Sequence, residues 1–253
     1  VKACAVGDAT PLTRPMSSLW KQHPSESPGI PFNPGSRHEV VVVGAGLTGL
    51  ATAYELARSG VDVALVERGG VGELASGSNT GKVSLLQGTT LSSLRSGHPA
   101  SLVRAYVEAN RDGFAWMTDT ADRLGVPLTS RTAYTYAQGD EGRRSVVKEY
   151  DAAREAGLAV RLVDDAELRE AAVPMVAAVA LDDQRAVDPM QLLAALADAF
   201  VAAGGTLHLG VHVRGVKVFP EPRVETDLGP LFASQVVVAT GIPILDRGLY
   251  WAK

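Results

Sequence analysis

The stretch VVVGAGLTGL, from Val41 to Leu50, constrains the fold more than any other part of the chain. Four valines, Val40–Val43, lead into glycines at positions 44, 46 and 49, which have the spacing G-x-G-x-x-G. A β-branched run of this kind is typical of a strand buried on both faces of a parallel sheet. The glycines allow a tight turn, a close backbone approach to a pyrophosphate, and close packing of helix on strand. The stretch therefore predicts a strand–turn–helix unit that binds a dinucleotide.

The residues that follow complete a βαβ unit. A helix is predicted over Leu50–Ser59 and a second strand over Val61–Val66, with Glu67 at the tip of that strand. A carboxylate about 20 residues beyond the glycines can accept hydrogen bonds from ribose hydroxyls. Its charge disfavours a 2′-phosphate, although Arg68 is adjacent. The motif leaves NAD and FAD as alternatives, together with a glycine-rich turn that binds no ligand.

Composition argues against several classes of function. The net charge is −4 and Lys and Arg form no block, which is a poor electrostatic footprint for nucleic acid. Apolar runs stay below the roughly 18 residues that span a bilayer. Cys4 is the only cysteine, so an intrachain disulfide and a cysteine-ligated metal site are excluded. His208 and His212 complete no metal-site pattern, so structural or surface roles are expected for them. The sequence predicts a globular protein without a metal, in a reducing, cytoplasmic compartment.

The order of predicted elements divides the chain. Residues 1–36 are proline-rich and are predicted to be extended or disordered. Nucleotide-type α/β elements occupy residues 37–94 and return over 186–253, whereas residues 95–185 form a different region of helices and β-rich stretches. The chain is therefore predicted to be an α/β protein whose nucleotide-binding domain is interrupted by an insertion.

Several local features are predicted within this plan. Leu19 and Trp20 are expected to anchor the proline-rich segment, and Asp188 is expected to cap a helix rather than contact a ligand. The stretch VVVATG is predicted to be a last buried strand. A long helix over about residues 99–124 is predicted to pack through Leu102, Tyr106, Ala109, Phe114 and Trp116.

Four stretches occur in the order seen in one flavoprotein family. They are VVVVGAGLTGLATAYELARSGVDVALVERG, ASGSNTGKV, AVDPMQLLAAL and VVVATG. In this order the chain resembles FAD-dependent oxidoreductases of the D-amino-acid oxidase, glycine oxidase and sarcosine oxidase (DAO) type, over roughly residues 39–241. The stretch TGKVSLLQG is similar to members whose C-terminal part carries a Rieske iron–sulfur domain, although Gln87 stands where those members are expected to have histidine.

The resemblance implies a Rossmann-like FAD-binding domain of the GR2/DAO type, interrupted by a partial α+β substrate or cap domain. It implies FAD contacts from the glycine loop, the end of the second strand, the small-residue loop after it and two later strands. The implied residues are Gly44, Ala45, Gly46, Leu47, Thr48, Gly49, Glu67, Arg68, Ala75, Ser76, Asn79, Thr80, Gly81, Lys82, Val213, Ala239, Thr240 and Gly241. Lys82 is also a candidate to stabilise negative charge on the reduced flavin, and the alternative is a solvated loop lysine.

The resemblance further implies the reaction. Hydride would pass to flavin from the carbon beside an amine nitrogen of a small amine or amino acid, resulting in oxidative deamination or demethylation. The flavin carries this chemistry, so no catalytic side chain is assigned. An NAD-dependent dehydrogenase and a non-catalytic nucleotide-binding subunit are the alternatives.

Family members of this type continue past the ATG strand. The chain is therefore expected to be an N-terminal portion, inactive alone or completed by a missing C-terminal half or a partner subunit. Homo-oligomerisation stays open.

Overall fold

The computed structural model describes residues 18–22, 29–163, 167, 169 and 173–241. Its strands are β1 (Arg37–Val43), β2 (Val63–Val66), β3 (Lys82–Val83), β4 (Leu128–Ala137), β5 (Arg161–Leu162), β6 (Ala177–Val187), β7 (Thr206–His208), β8 (Val213–Lys217), β9 (Arg223–Thr226) and β10 (Gly229–Val238). Its α-helices are α1 (Leu47–Arg58), α2 (Thr90–Gly97), α3 (Ala100–Arg123), α4 (Asp140–Glu155) and α5 (Pro189–Ala202). Short 3-10 helices occupy Leu19–Gln22 and Ser76–Ser78. Residues 1–17 and 23–28, which make up most of the predicted extended segment, lie outside the described residues.

The first sheet has the strand order β7–β2–β1–β10–β9–β8. The strands β7, β2, β1 and β10 run parallel, whereas β9 pairs antiparallel with both β10 and β8. Helices α1 and α5 pack together against one face, where Val40 and Val42 are buried, and Val41 and Val43 are buried on the other face. The predicted βαβ unit is present, and α1 begins three residues earlier than predicted because the extended Gly46 is its N-cap. The predicted α/β class is confirmed.

The second sheet is antiparallel and has the order β3–β6–β4, with β5 paired to β6. Helices α2, α3 and α4 contribute to a separate core against this sheet, which includes Leu91, Val103, Val146 and Val179. The strands of this sheet begin at Lys82, so part of the segment assigned to the nucleotide-binding domain packs with the insertion. The division at residues 94 and 186 stays a prediction.

Helix α3 contacts both cores. Val103 and Val107 are buried in the second core, whereas Phe114 and Trp116 pack against the first core. The prediction that Leu102 and Ala109 pack is wrong, because both side chains are exposed. Tyr106 also packs against the second core, so three of the five predicted positions are correct. Towards its C-terminal end the helix also bonds to α1, where Trp116 Nε1 donates a hydrogen bond to Glu55 Oε1 at 2.8 Å.

The remaining local predictions have mixed outcomes. Asp188 caps α5 as predicted, since its Oδ1 accepts hydrogen bonds from the backbone N–H groups of Met190 (2.9 Å) and Gln191 (3.3 Å). Trp20 packs against the first core, but Leu19 is 65% exposed, so the prediction that its side chain is an anchor is wrong. The predicted last strand, the stretch VVVATG, is present as the end of β10. The prediction that it is buried is wrong, because Val238 is 39% exposed. Across the described ranges, no helix combines the length and apolarity needed to cross a membrane.

A fully buried carboxylate fixes the start of α2. Thr89, the N-cap of α2, makes no side-chain capping bond. Instead, Glu149 on α4 accepts hydrogen bonds from the backbone N–H groups of Leu91 (3.1 Å) and Ser92 (2.8 Å). These donors lie in the first turn of α2, where a negative charge also interacts favourably with the helix dipole. Glu149 therefore ties two helices of the second core together.

We expect Glu149→Ala to lower the free energy of unfolding by about 3 kcal/mol, because it leaves backbone donors near the start of α2 without a partner. Urea denaturation measures this change. Lys148→Ala removes an exposed side chain from the adjacent position of α4 and should change stability by less than about 0.5 kcal/mol. Equal effects of the two substitutions would contradict the capping role.

His208 at the end of β7 is expected to make stability depend on pH. Burial lowers the pKa of His208 below its ordinary value of 6.5; a hydrogen bond from the ring N–H to the Ile30 carbonyl opposes this, and His38 adds to it. At a pH between the lowered pKa of the folded state and 6.5, the unfolded chain binds a proton at this imidazole and the folded protein does not. Stability should fall as the pH drops below 6.5 and stop falling at the lower pKa of the folded state.

The free energy of unfolding measured over this pH range tests the expectation. His208→Gln should flatten the slope because glutamine does not titrate. His98→Gln makes the same substitution at an exposed histidine and is the matched control. A slope that persists in His208→Gln would assign the pH dependence to another group.

Candidate functional site

An open cleft with a volume of about 610 Å³ lies at the carboxyl ends of β1, β2 and β10. In α/β sheets, ligands bind at this edge, where the strand order changes direction. The change occurs here at β1, whose neighbours β2 and β10 come from opposite ends of the described chain. The cleft is lined by Val43, Gly44, Gly46, Leu47, Thr48, Val66, Glu67, Arg68, Gly72, Glu73, Leu74, Ala75, Ser76, Val211, His212, Val213, Val238, Ala239, Thr240 and Gly241.

Two of the three glycines of the motif lie where the neighbouring backbone leaves no room for a side chain, and the third lies close to a side chain. Gly44 has φ +106°, and a Cβ atom there would lie 2.7 Å from the carbonyl oxygen of Ala239 on the neighbouring chain segment. A Cβ atom at Gly49 would lie 1.8 Å from the carbonyl oxygen of Gly44. A Cβ atom at Gly46 would lie 3.1 Å from Ser76 Oγ. The glycines therefore let strand β1, helix α1 and the end of β10 meet in backbone contact.

The N-terminus of α1 opens into this cleft. Its N-cap, Gly46, has no side chain to satisfy the free N–H groups of the first turn. The Leu47 N–H donates instead to Ser76 Oγ at 3.0 Å. Unpaired N–H groups together with the positive end of the helix dipole favour a bound anion. The geometry suits a phosphate group placed between α1 and the segment that contains Ser76.

Glu67 stabilises the glycine loop from the end of β2. Its Oε2 accepts a hydrogen bond from the Ala45 N–H at 2.8 Å, and its Oε1 accepts one from the Gly69 N–H at 2.9 Å. A carboxylate has about four lone-pair positions, so about two remain for further donors. Glu67 is half-buried at the cleft wall, which leaves these positions within reach of a ligand.

Most of the predicted site residues line this one cleft. Ala45 and Gly49 are buried directly behind its wall. The others, Asn79–Lys82, lie outside the cleft on the segment that leads to β3. The Asn79 side chain accepts a bond from the Gly81 N–H and donates one to the Ser76 carbonyl, both at 2.6 Å. Lys82 is exposed, and its Nζ donates to the Leu86 carbonyl at 3.1 Å, so its role beside a flavin stays a prediction.

The cleft also contains residues that sequence reasoning missed. Gly72 has φ +67°, and a Cβ atom there would lie 2.5 Å from Leu193 Cδ1, so this position requires glycine. Glu73 and Leu74 follow it in the same loop. His212 lines the wall beside Val213, although the sequence suggested only a structural or surface role. The one available signal was its position immediately before a predicted site residue.

Residues 39–248 match the DAO family, described as FAD dependent oxidoreductases. The chain belongs to this family. The match covers both segments that form the cleft and the insertion between them. It confirms the fold and the cofactor FAD that the resemblance implied, and it gives no support to the NAD alternative. The glycine contacts and the open N-terminus of α1 fit a dinucleotide cofactor of this kind.

Similar proteins agree with this family. The putative Rieske 2Fe-2S iron-sulfur protein YhfW of Bacillus subtilis (strain 168) is 24% identical over 243 residues, covering 93% of this chain and 47% of YhfW. L-proline dehydrogenase from P. horikoshii has a TM-score of 0.67 and 19% identity, covering 81% of this chain and 53% of that one. Glycine oxidase from Geobacillus kaustophilus has a TM-score of 0.63 and 25% identity, covering 81% and 55%. The chain thus spans about half the length of these relatives.

We expect Gly49→Ala to lower the free energy of unfolding by about 3 kcal/mol, because the new methyl group would overlap the Gly44 carbonyl. Gly113→Ala in α3 is the matched control, since a Cβ atom there has nothing within 4 Å. That substitution should raise stability by up to about 1 kcal/mol through helix propensity. Urea denaturation of both variants measures the difference, and a neutral Gly49→Ala would contradict the packing described here.

Proposed function

We propose that this chain binds FAD in the cleft at the carboxyl ends of β1, β2 and β10, as part of an oxidoreductase acting on a small amine or amino acid. The observation that carries the proposal is the backbone contact at Gly44 and Gly49, which exposes the N-terminus of α1 to this cleft. Membership of the FAD dependent DAO family supports FAD over other dinucleotides.

Each part of the proposed site has a role that follows from its chemistry. The Thr48 N–H in the first turn of α1 would donate to the pyrophosphate together with the Ser76 hydroxyl, which itself accepts from the Leu47 N–H. The free lone pairs of Glu67 would accept hydrogen bonds from ribose hydroxyls. Val213 and residues 239–241 also line the cleft, where they would contact the adenosine end.

The proposed reaction is oxidation of a C–N bond, for which bound FAD would supply the hydride acceptor. Two structural neighbours are named for amino-acid chemistry, a proline dehydrogenase and a glycine oxidase, and they support an amino-acid substrate. The similarity to YhfW supports the predicted Rieske-linked subgroup. We further propose that residues 95–185, with the second sheet, form the substrate side, and that residues 37–94 and 186–253 form the FAD side.

Titration of the purified chain with FAD, followed by its visible absorption spectrum, tests cofactor binding. We expect one FAD per chain, and no competition from equimolar NAD or NADP. Bleaching of the flavin bands by L-proline or glycine without oxygen would support amino-acid oxidation. Binding without bleaching by any amine would instead favour the non-catalytic alternative, and absence of FAD binding would contradict the proposal.

We expect Glu67→Gln to raise the Kd for FAD about tenfold, equivalent to about 1.4 kcal/mol. An amide NH2 group replaces one of the two carboxylate oxygens that accept the Ala45 and Gly69 N–H groups, so one of these loop bonds is lost and fewer lone pairs remain for the ribose. Fluorescence titration measures the Kd. Glu39→Gln removes the same charge from an exposed position on β1 and should bind FAD like the unsubstituted protein. An unchanged Kd in Glu67→Gln would remove Glu67 from the site.

A further inference from the structure

Trp20 precedes the whole α/β domain in sequence, but it lies against the loop of residues 76–81, which begins at the cleft residue Ser76. The short helix Leu19–Gln22 contacts both Ser76–Ser78 and α5. The indole ring is half-buried and packs against the first core. Its Nε1 donates a hydrogen bond of 2.7 Å to the carbonyl oxygen of Asn79, which is 59 residues away in the chain. Neither the motif nor the cleft lining accounts for this contact.

The bond from Trp20 begins a continuous series that ends at the N-terminus of α1. The Asn79 side chain holds the loop in shape through its bonds to the Gly81 N–H and the Ser76 carbonyl, both at 2.6 Å. Ser76 Oγ then accepts the hydrogen bond of the Leu47 N–H at 3.0 Å. The position of the Ser76 hydroxyl therefore depends on how the loop of residues 76–81 is held.

The indole ring also fixes the far end of this loop by packing. Gly81 has φ +67°, and a Cβ atom there would lie 2.3 Å from the Val187 carbonyl and 3.3 Å from Trp20 Cζ2. The Val187 N–H donates to the Gly81 carbonyl at 2.9 Å. Gly81 is thus enclosed between the end of β6 on one side and the indole ring on the other.

We propose that Trp20 is a positioning residue for the cofactor: it holds residues 76–81 so that the Ser76 hydroxyl lies against the N-terminus of α1. A loop ordered before binding costs less conformational entropy when the ligand arrives. Trp20 itself does not line the cleft, so it acts through Asn79 and Ser76. The cofactor part of this inference rests on the proposed FAD site, whereas the ordering of the loop does not.

Trp20→Phe tests the inference because phenylalanine keeps a ring in the core but cannot donate the indole hydrogen bond. Leu19→Ala is the control, since Leu19 lies in the same short helix and is 65% exposed. Hydrogen exchange on the protein without cofactor reports the Leu47 and Gly81 amides, and fluorescence titration reports the Kd for FAD. In Trp20→Phe we expect both amides to exchange about fivefold faster and the Kd to rise about fivefold.

A second comparison separates positioning from a general loss of stability. Exchange of the Val41 amide, in the buried strand β1, should be unchanged in Trp20→Phe, whereas global destabilisation would raise it as well. Combining Trp20→Phe with Asn79→Ala should raise the Kd by less than the product of the separate effects, since both residues act through one loop. Independent, multiplicative effects would overturn the proposed route.

The exchange and binding measurements fail in different ways. Unchanged exchange at Leu47 and Gly81 in Trp20→Phe would overturn the positioning role, whether or not FAD binds. Faster exchange with an unchanged Kd would overturn its connection to the cofactor. Faster exchange in a chain that binds no FAD even without substitution would support the ordering of the loop by Trp20 and contradict the proposed function instead.

Discussion

The rest of the structure depends on one backbone contact, between the start of α1 and the end of β1. The space for a Cβ atom at Gly49 is already taken by the carbonyl oxygen of Gly44, and the end of β10 presses on Gly44 in turn. Backbone hydrogen bonds of 2.8 Å join Gly44 to Val66 and Ala239 to Val43 at the same point. Three strands and a helix therefore converge within contact distance. This convergence turns the N-terminus of α1 towards the edge where the cleft lies.

Two glutamates bind backbone N–H groups in the same way but have different roles. Glu67 and Glu149 each accept two backbone N–H donors with one carboxylate. Glu149 is fully buried, so its acceptor capacity serves the junction of α2 and α4 alone. Glu67 is only half-buried at a cleft, so it can hold the glycine loop and still accept bonds from a ligand. The difference lies in exposure, which is a property of the fold and not of the residue type.

Patterns within short stretches of sequence predicted the strands and helices whose formation depends on neighbouring residues. The valine run, the glycine spacing and the cap at Asp188 indicated β1, α1 and α5 correctly, and most implied site residues line one cleft. Two packing positions of α3 were predicted wrongly because that helix lies against two cores, and periodicity alone cannot say which stripe each core buries. His212 and Gly72 were missed for a similar reason: long-range packing brings them to the cleft.

The segment from Ser76 to Lys82 shows most clearly where local reasoning stops. Its first residue contacts α1, which packs on the first sheet, and its last residue pairs with Ala186 in the second sheet. Trp20, from a third region of the chain, packs against its middle. Small and polar residues in this stretch read equally well as a surface loop or as a cofactor contact. Asn79 closes the loop through bonds within the segment. The three partners, all distant in sequence, fix where the loop lies, so the geometry of the proposed cofactor site depends on contacts that the segment itself does not encode.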